Sequence, residues 1–356
     1  MVHILKIWID ILTPKQVNFL GALHAILRSR GHTLVLTTRK YAEANQLLAL
    51  RRLKAKIFGS YGGGSIKDKL RESAHRIIAL SKFVETVNPD LAISFSSPEA
   101  ARVSFGLSIP HFCISDSPHA EAVCRLTIPL SRRLFAPAFI PRKDWMRYGI
   151  PSSAIIQYRG LDPVAWLRAF KPDRKKIEKL GVDGTRPLVT IRLPEEQSSY
   201  LRNAKRPALQ VAYSVARRLG RMKRFQVVVL PRYEAQRKTA NRLDPEVIVP
   251  REAIDGTNLL FHSSAFLGAG GTMTCEAALL GVPSISCYPS SPTYVDRYLM
   301  RCGLLERILE PAAIVRRIRL FLMDESYRMR AKVKAQRVMQ KMEDPVCVVA
   351  SKLELR

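Results

Sequence analysis

Short apolar runs rich in β-branched residues alternate with amphipathic segments along most of the chain. In the first half the strand-like runs are Ile4–Ile9, Thr33–Thr37, Leu91–Phe95, His111–Ile114, Leu134–Ala136 and Ala154–Gln157. Between them, Phe19, Leu23, Ile26 and Leu27 share a helical face that stops at Gly31. Ile77, Leu80, Val84 and Val87 share another that ends at Asn88-Pro89. The second half repeats the rhythm, with strands at Leu188–Leu193, Gln226–Leu230, Glu246–Val249, Ala265–Gly268 and Ser284–Tyr288. Its helices are expected at Ala204–Leu219, Glu234–Arg242, Gly256–Ser263, Met273–Leu280, Val295–Arg301, Ala312–Met323 and Tyr327–Met342. Nearly continuous apolar strands separated by helices predict parallel sheets covered on both faces.

Two such series with a Pro- and Gly-punctuated, charged break at Ala165–Gly184 predict two doubly wound, Rossmann-like domains facing across a cleft. The 356 residues suit that number. The expected division is 1–165, 166–325 and a C-terminal helix over 326–356 that packs back on the first domain. No run is long enough to span a bilayer, and the first ten residues read as a strand and not a signal peptide. The expected location is the cytoplasm, with the inner face of the membrane as a peripheral station. The six cysteines include no C-x-x-C pair and read as reduced core residues. The net charge of +28 favours anionic partners, namely nucleotide phosphates, lipid phosphates, anionic membrane or nucleic acid. A merely solvated basic surface explains it equally well. Against nucleic acid stand the dispersal of the basic residues and the lack of a recognised binding module.

In open parallel sheets the loops after the strands carry the chemistry. Gly268 to Glu276 lies between an apolar strand and a short helix closed by Gly281-Val282-Pro283. Gly270 and Gly271 let backbone N–H groups approach a phosphate, Thr272 can cap the helix and offer a hydroxyl, and the helix N-terminus favours an anion. Glu276 suits a ribose diol; the alternative is a tight turn with an acid near a helix start. Arg192 and Arg232, each at a strand end, suit a diphosphate. For Arg192 the alternative is a surface ion pair with Glu195 or Glu196. Asp116 and His119 form a candidate carboxylate–imidazole pair, against an Asx turn at Asp116-Ser117-Pro118. Asp10, with Thr13 at the following helix start, is the next candidate, against a strand-end cap. Arg125 to Phe135 mixes apolar and basic residues and reads as a membrane contact or a buried segment with an arginine rim.

The stretch Phe266 to Tyr288 resembles the donor-binding turn of GT-B glycosyltransferases and of UDP-N-acetylglucosamine 2-epimerases. More closely, the chain resembles an uncharacterised, mainly archaeal GT-B-like family, a domain of unknown function. Ile7–Gln16, Ser97–Val103, Gly106–Pro110, Asp116–Ala120 and Gly271–Ala278 carry that likeness. The resemblance implies a C-terminal domain that holds a nucleotide-sugar, an N-terminal domain that holds the acceptor, and no metal or other cofactor. On it Gly271, Thr272 and Thr274 face the diphosphate and Glu276 the ribose. The epimerases' His-x-Glu-Ala-Gly loop is replaced here by Ile114–Ala120, and their Asp-Thr loop by Ser96-Ser97-Pro98. The expected activity is therefore transfer of a sugar from a UDP-sugar to a lipid-phosphate or other anionic acceptor. Epimerisation of a UDP-sugar is the alternative, and a non-catalytic or nucleic-acid-binding basic protein a further one. The oligomeric state is open.

Overall fold

The computed structural model describes residues 4–196, 208–252 and 254–353. Among them, thirteen strands form two sheets, all of whose pairings are parallel. The first holds β1 (Lys6–Ile11), β2 (Thr33–Lys40), β3 (Lys56–Ser60), β4 (Leu91–Ser94), β5 (His111–Ile114), β6 (Arg133–Pro137) and β7 (Ile155–Tyr158), in the order β3-β2-β1-β4-β5-β6-β7. The second holds β8 (Leu188–Arg192), β9 (Gln226–Leu230), β10 (Val247–Ile248), β11 (Ala265–Gly268), β12 (Ser284–Ser286) and β13 (Leu305–Arg307), in the order β10-β9-β8-β11-β12-β13. Each order reverses beside its first strand, between β1 and β4 and between β8 and β11. That is the switch point at which doubly wound sheets open a ligand crevice. The fold is α/β with two Rossmann-like units, as the alternating pattern predicts.

The chain leaves the first unit at Arg168 and returns to it at Met342; the described residues Ala169–Glu196 and those from Ala208 to Lys341 belong to the second. β1 shows why the first sheet is covered on both faces. Ile7, Ile9 and Ile11 point one way, into a core with Phe19, Leu20 and Leu23 of the helix Pro14–Ser29. Trp8 points the other way, onto Leu80 and Val84 of the helix Ile66–Val87. In the second unit Val189, Ile191, Val227, Val229 and Leu267 form the equivalent core with Val215, Leu219, Ile314 and Ile318.

The C-terminal segment is two helices, Glu325–Gln340 and Pro345–Ser351, where the pattern predicts one. Asp344 accepts the Val346 N–H and Pro345 opens the new helix; a proline there cannot continue the old one. Residues Gln197–Tyr200 of the loop after Leu193, and Ala204–Pro207 of the expected helix, lie outside the described residues; the helix is seen over Ala208–Gly220. The Arg125–Phe135 stretch is mixed: Ile128, Leu134 and Phe135 are buried in the core, whereas Arg125, Leu126 and Arg132 are exposed. Cys113, Cys124, Cys275 and Cys287 are buried, but Cys347 is exposed. Among the described residues no helix is long and apolar enough to cross a membrane.

Candidate functional site

At the carboxyl edge of the first sheet, Thr37, Asp10 and Ser94 lie side by side on β2, β1 and β4. Period-2 alternation puts Asp10 on the face of Trp8, toward the helix that carries Arg76. The Asp10 carboxylate accepts from Arg76 Nη2 (2.6 Å) and Nη1 (3.1 Å), from Thr37 Oγ1 (2.6 Å) and from Ser97 Oγ (2.7 Å). Trp8 Nε1 donates to Thr37 Oγ1 in turn (2.8 Å). Asp10 and Arg76 are both buried. Burial alone would raise the Asp10 pKa, but the Arg76 guanidinium and these four bonds outweigh it and hold the carboxyl below its ordinary value. Both Asp10 oxygens are thus committed to four donor atoms, which tie β1 and β2 to the Ser97 helix start and to the helix Ile66–Val87. His111, bonded to Ser94 Oγ and Ser131 Oγ, is likewise structural, and burial pushes its pKa down to about 4.

The charged cluster at this edge centres on Lys15, which was not among the expected site residues although it lies in the first turn of the helix that follows β1. Its ammonium meets Asp116 Oδ2 at 2.5 Å and Asp162 Oδ2 at 2.7 Å, and lies 4.3 Å from the centre of the Phe95 ring. Asp116 also accepts from Ser117 Oγ (2.8 Å), and Asp162 from the Tyr158 hydroxyl (2.5 Å). The pair splits. Burial opposes ionisation of Asp116, but Lys15 outweighs it and brings the pKa down to about 2. Burial, together with the neighbouring Asp116 charge, pushes Asp162 up to about 6. Asp162 is 2% exposed and Asp116 16%. Asp116 thus takes Lys15 and Ser117 as partners. His119 feels both charges, and burial holds its pKa below the usual value. Arg147 and Tyr148 both donate to the Pro118 carbonyl and fix the loop between them. Ser96, in the neighbouring loop, adopts φ +54° and donates to the Ile114 carbonyl. A non-glycine residue held there is a feature that collects at functional edges. Thr13 occupies the N-cap position of the helix Pro14–Ser29, but its side chain does not cap it.

In the second unit β11 ends at Gly268, and Gly270 (φ +78°) and Gly271 (φ +86°) turn the chain into the helix Thr272–Leu279. Gly271 is exposed and Thr272 half-buried, so the helix start is accessible. Thr274 is buried and donates to the Gly270 carbonyl (3.1 Å); it locks the turn. A Cβ on Gly268 would lie 2.6 Å from Thr274 Oγ1, which explains the glycine there. Glu276 is buried and accepts from Thr257 Oγ1 (3.0 Å), a partner not foreseen. Arg232 Nη2 would lie 3.9 Å from a Cβ on Gly271, so the structure brings this arginine to the turn. Its Nε donates to the Leu193 carbonyl, and its guanidinium stands 3.9 Å from Glu195. Arg192 donates to the Pro231 carbonyl (3.0 Å), next to Arg232. Two arginines and a glycine-lined helix N-terminus therefore gather at the carboxyl ends of β8, β9 and β11.

The two parallel-sheet α/β units have the GT-B type of fold. Over 98% of this chain and 99% of theirs, the UDP-GlcNAc 2-epimerase of Neisseria meningitidis bound to UDP-GlcNAc superposes with a TM-score of 0.74 at 16% identity, and the spinosyn rhamnosyltransferase SpnG with 0.64 at 13%. The UDP-GlcNAc 2-epimerase of Methanocaldococcus jannaschii, in complex with UDP-GlcNAc and UDP, gives 0.71 at 13% identity over 96% of this chain and 95% of that one. By sequence the chain belongs to the family described as "Protein of unknown function (DUF354)", whose model matches residues 5–351. The uncharacterized protein MJ0665 of M. jannaschii is 33% identical over 301 residues, 83% of this chain and 85% of that protein.

Proposed function

We propose that this protein is a nucleotide-sugar-dependent glycosyltransferase of GT-B type that uses a UDP-sugar. The observation that carries the reading is the accessible Gly270-Gly271-Thr272 helix start with Arg232 beside Gly271. Backbone N–H groups, the helix dipole and a guanidinium converge there, and together they suit a diphosphate. Arg192 reinforces the charge, Thr274 holds the turn, and Glu276, steadied by Thr257, takes the ribose hydroxyls. The leaving diphosphate meets guanidiniums and a helix N-terminus, so the reading needs no metal and no cofactor beyond the sugar donor. Proteins of the same fold hold UDP-GlcNAc.

In the first unit, His119 is biased to its neutral form and so can accept a proton from an acceptor hydroxyl, and the ionised Asp116 favours the imidazolium that forms. One observation favours epimerisation as a second reading: Asp162, pushed up to about 6, and the ionised Asp116 give an acid and a base around one lysine. Deuterium uptake from solvent into the sugar carbon would mark that reaction, whereas transfer leaves the carbon unlabelled.

Thermal shift with UDP, UDP-sugars and other nucleotides tests the site. UDP-sugars should raise the melting temperature of the wild type. Losing a charge-assisted contact in Arg232→Gln should weaken binding by about tenfold to a hundredfold. Glu276→Gln should weaken UDP but not inorganic pyrophosphate. A protein that no nucleotide stabilises would refute the reading.

A further inference from the structure

The second unit carries an open groove of about 410 Å³ between the end of the helix Ala208–Gly220 and the helix Pro311–Met323. Arg218, Arg221 and Arg316 line its walls, and Met222, Ala312 and Val315 its floor. The groove continues along the second helix. At 100° per residue, Arg319 and Met323 fall in line with Ala312 and Arg316, with Leu320 on the adjoining edge. Arg316 and Arg319 are exposed, and so are Leu320 (57%) and Met323 (64%). The acid at the groove's end, Glu310, is committed to capping: its oxygens accept from the Ala312 and Ala313 N–H groups.

We propose that this face docks on an anionic bilayer surface. The proposal is independent of any nucleotide at the Gly271 turn. Guanidiniums bind lipid phosphates in forked pairs, and their aliphatic stems lie along an apolar floor. Leu320 and Met323 enter the boundary between headgroups and acyl chains, the way an interfacial helix sits. Charge complementarity alone would also admit nucleic acid. However, single strands are held by aromatic platforms on which bases stack, and the groove and its continuation present aliphatic side chains instead. The Arg125–Phe135 stretch offers less, because most of its apolar side chains are spent on the core.

The test is co-sedimentation of the full chain with vesicles of phosphatidylglycerol and, separately, of phosphatidylcholine. The chain should sediment with the first and not the second. An arginine near an anionic surface contributes about fivefold to partitioning, so Arg218→Gln with Arg316→Gln should weaken binding by about twenty-fivefold. Leu320→Ser with Met323→Ser should weaken it at unchanged charge. Arg125→Gln with Arg132→Gln removes the same charge elsewhere and should leave binding close to wild type. Among the described residues Arg125 pairs with the exposed Glu121, and Arg218 and Arg316 lie near the capping Glu310, so matching melting temperatures are required of every variant. Three results would each overturn the proposal: equal binding to both lipids, an equal loss in the Arg125/Arg132 variant, or no loss in the Leu320/Met323 variant. The last, with tight binding of single-stranded oligonucleotide, would assign the face to nucleic acid.

Discussion

Asp10 shows how a strand-end carboxylate that resembles a base can be a strut. Its four donors come from β2, from Ser97 and from a helix residue far along the chain, Arg76. Replacing Arg76 by leucine leaves a buried anion without its cation and should cost about 3–5 kcal/mol in urea denaturation. A loss below about 1 kcal/mol would mean that Asp10 has other means of support. Asp162 makes a different prediction. Its folded pKa of about 6 lies above the unfolded value of about 3.9, so between them the folded chain holds the extra proton. Stability contributed by this carboxyl is full below about pH 4 and is lost as pH rises through about 6, by about 1.4 kcal/mol per unit of pKa difference. His111, buried and neutral, slopes the other way over an overlapping range, because its pKa falls on folding. Only a comparison isolates Asp162: in Asp162→Asn the stability should rise more steeply between about pH 4 and 6 than in wild type. Identical slopes would show that Asp162 titrates normally. Neither Arg76 nor Asp162 stands out in the sequence. Asp162 follows the last strand of its sheet, and the rule that such loops carry chemistry was the one signal pointing to it. The partners of Asp10 and Asp116 are set by tertiary proximity, which no local pattern encodes.

The central strands were legible because each is buried on both faces and so reads as an unbroken apolar run. β3 and β13 were not. β3 is an edge strand with Lys56 exposed and Gly59 inside it, and β13 has three residues with only Leu305 buried. The glycine turn was legible for the opposite reason: two adjacent positive-φ residues demand Gly270 and Gly271 by type. The break at Pro345 carries its own mark, an Asp-Pro start, and the residues just before it bear on the candidate site. Glu343 N–H donates to the Arg159 carbonyl, and the Glu343 carboxylate accepts from the Arg159 N–H and guanidinium. This clamp grips the Tyr158–Asp162 loop. A Cβ on Gly160 would lie 2.5 Å from the Glu343 carbonyl oxygen, so Gly160→Ala must push the segment away, at a cost of about 1–3 kcal/mol. Hydrogen exchange should then quicken at the backbone of Val348 and Val349 in the helix Pro345–Ser351. Unchanged protection would show that the clamp yields without cost.

Across the whole molecule, the chain builds the first unit, leaves it at Arg168, completes the second, and returns at Met342 to finish the first. The returning helix belongs to the first unit's core: Val346, Val349, Ala350 and Leu353 are buried among the residues that include Phe19 and Leu23. Arg30 anchors it by donating to the Ala350 carbonyl (2.8 Å). Exposing two valines and a leucine forfeits about 5 kcal/mol or more, a large share of the stability of an ordinary domain. A chain ending at Lys341 should therefore lose its first unit while keeping its second, whose own core contains none of the removed residues. The sequence supplies the probe. All three tryptophans, Trp8, Trp145 and Trp166, lie in the first unit, so their fluorescence reports on that unit alone, whereas circular dichroism reports on both. In the truncated chain the fluorescence transition should fall well below that of the wild type, and a later dichroism transition should persist from the second unit. A single coincident transition, displaced as a whole, would mean that the two units unfold as one cooperative body and that the returning helix serves both.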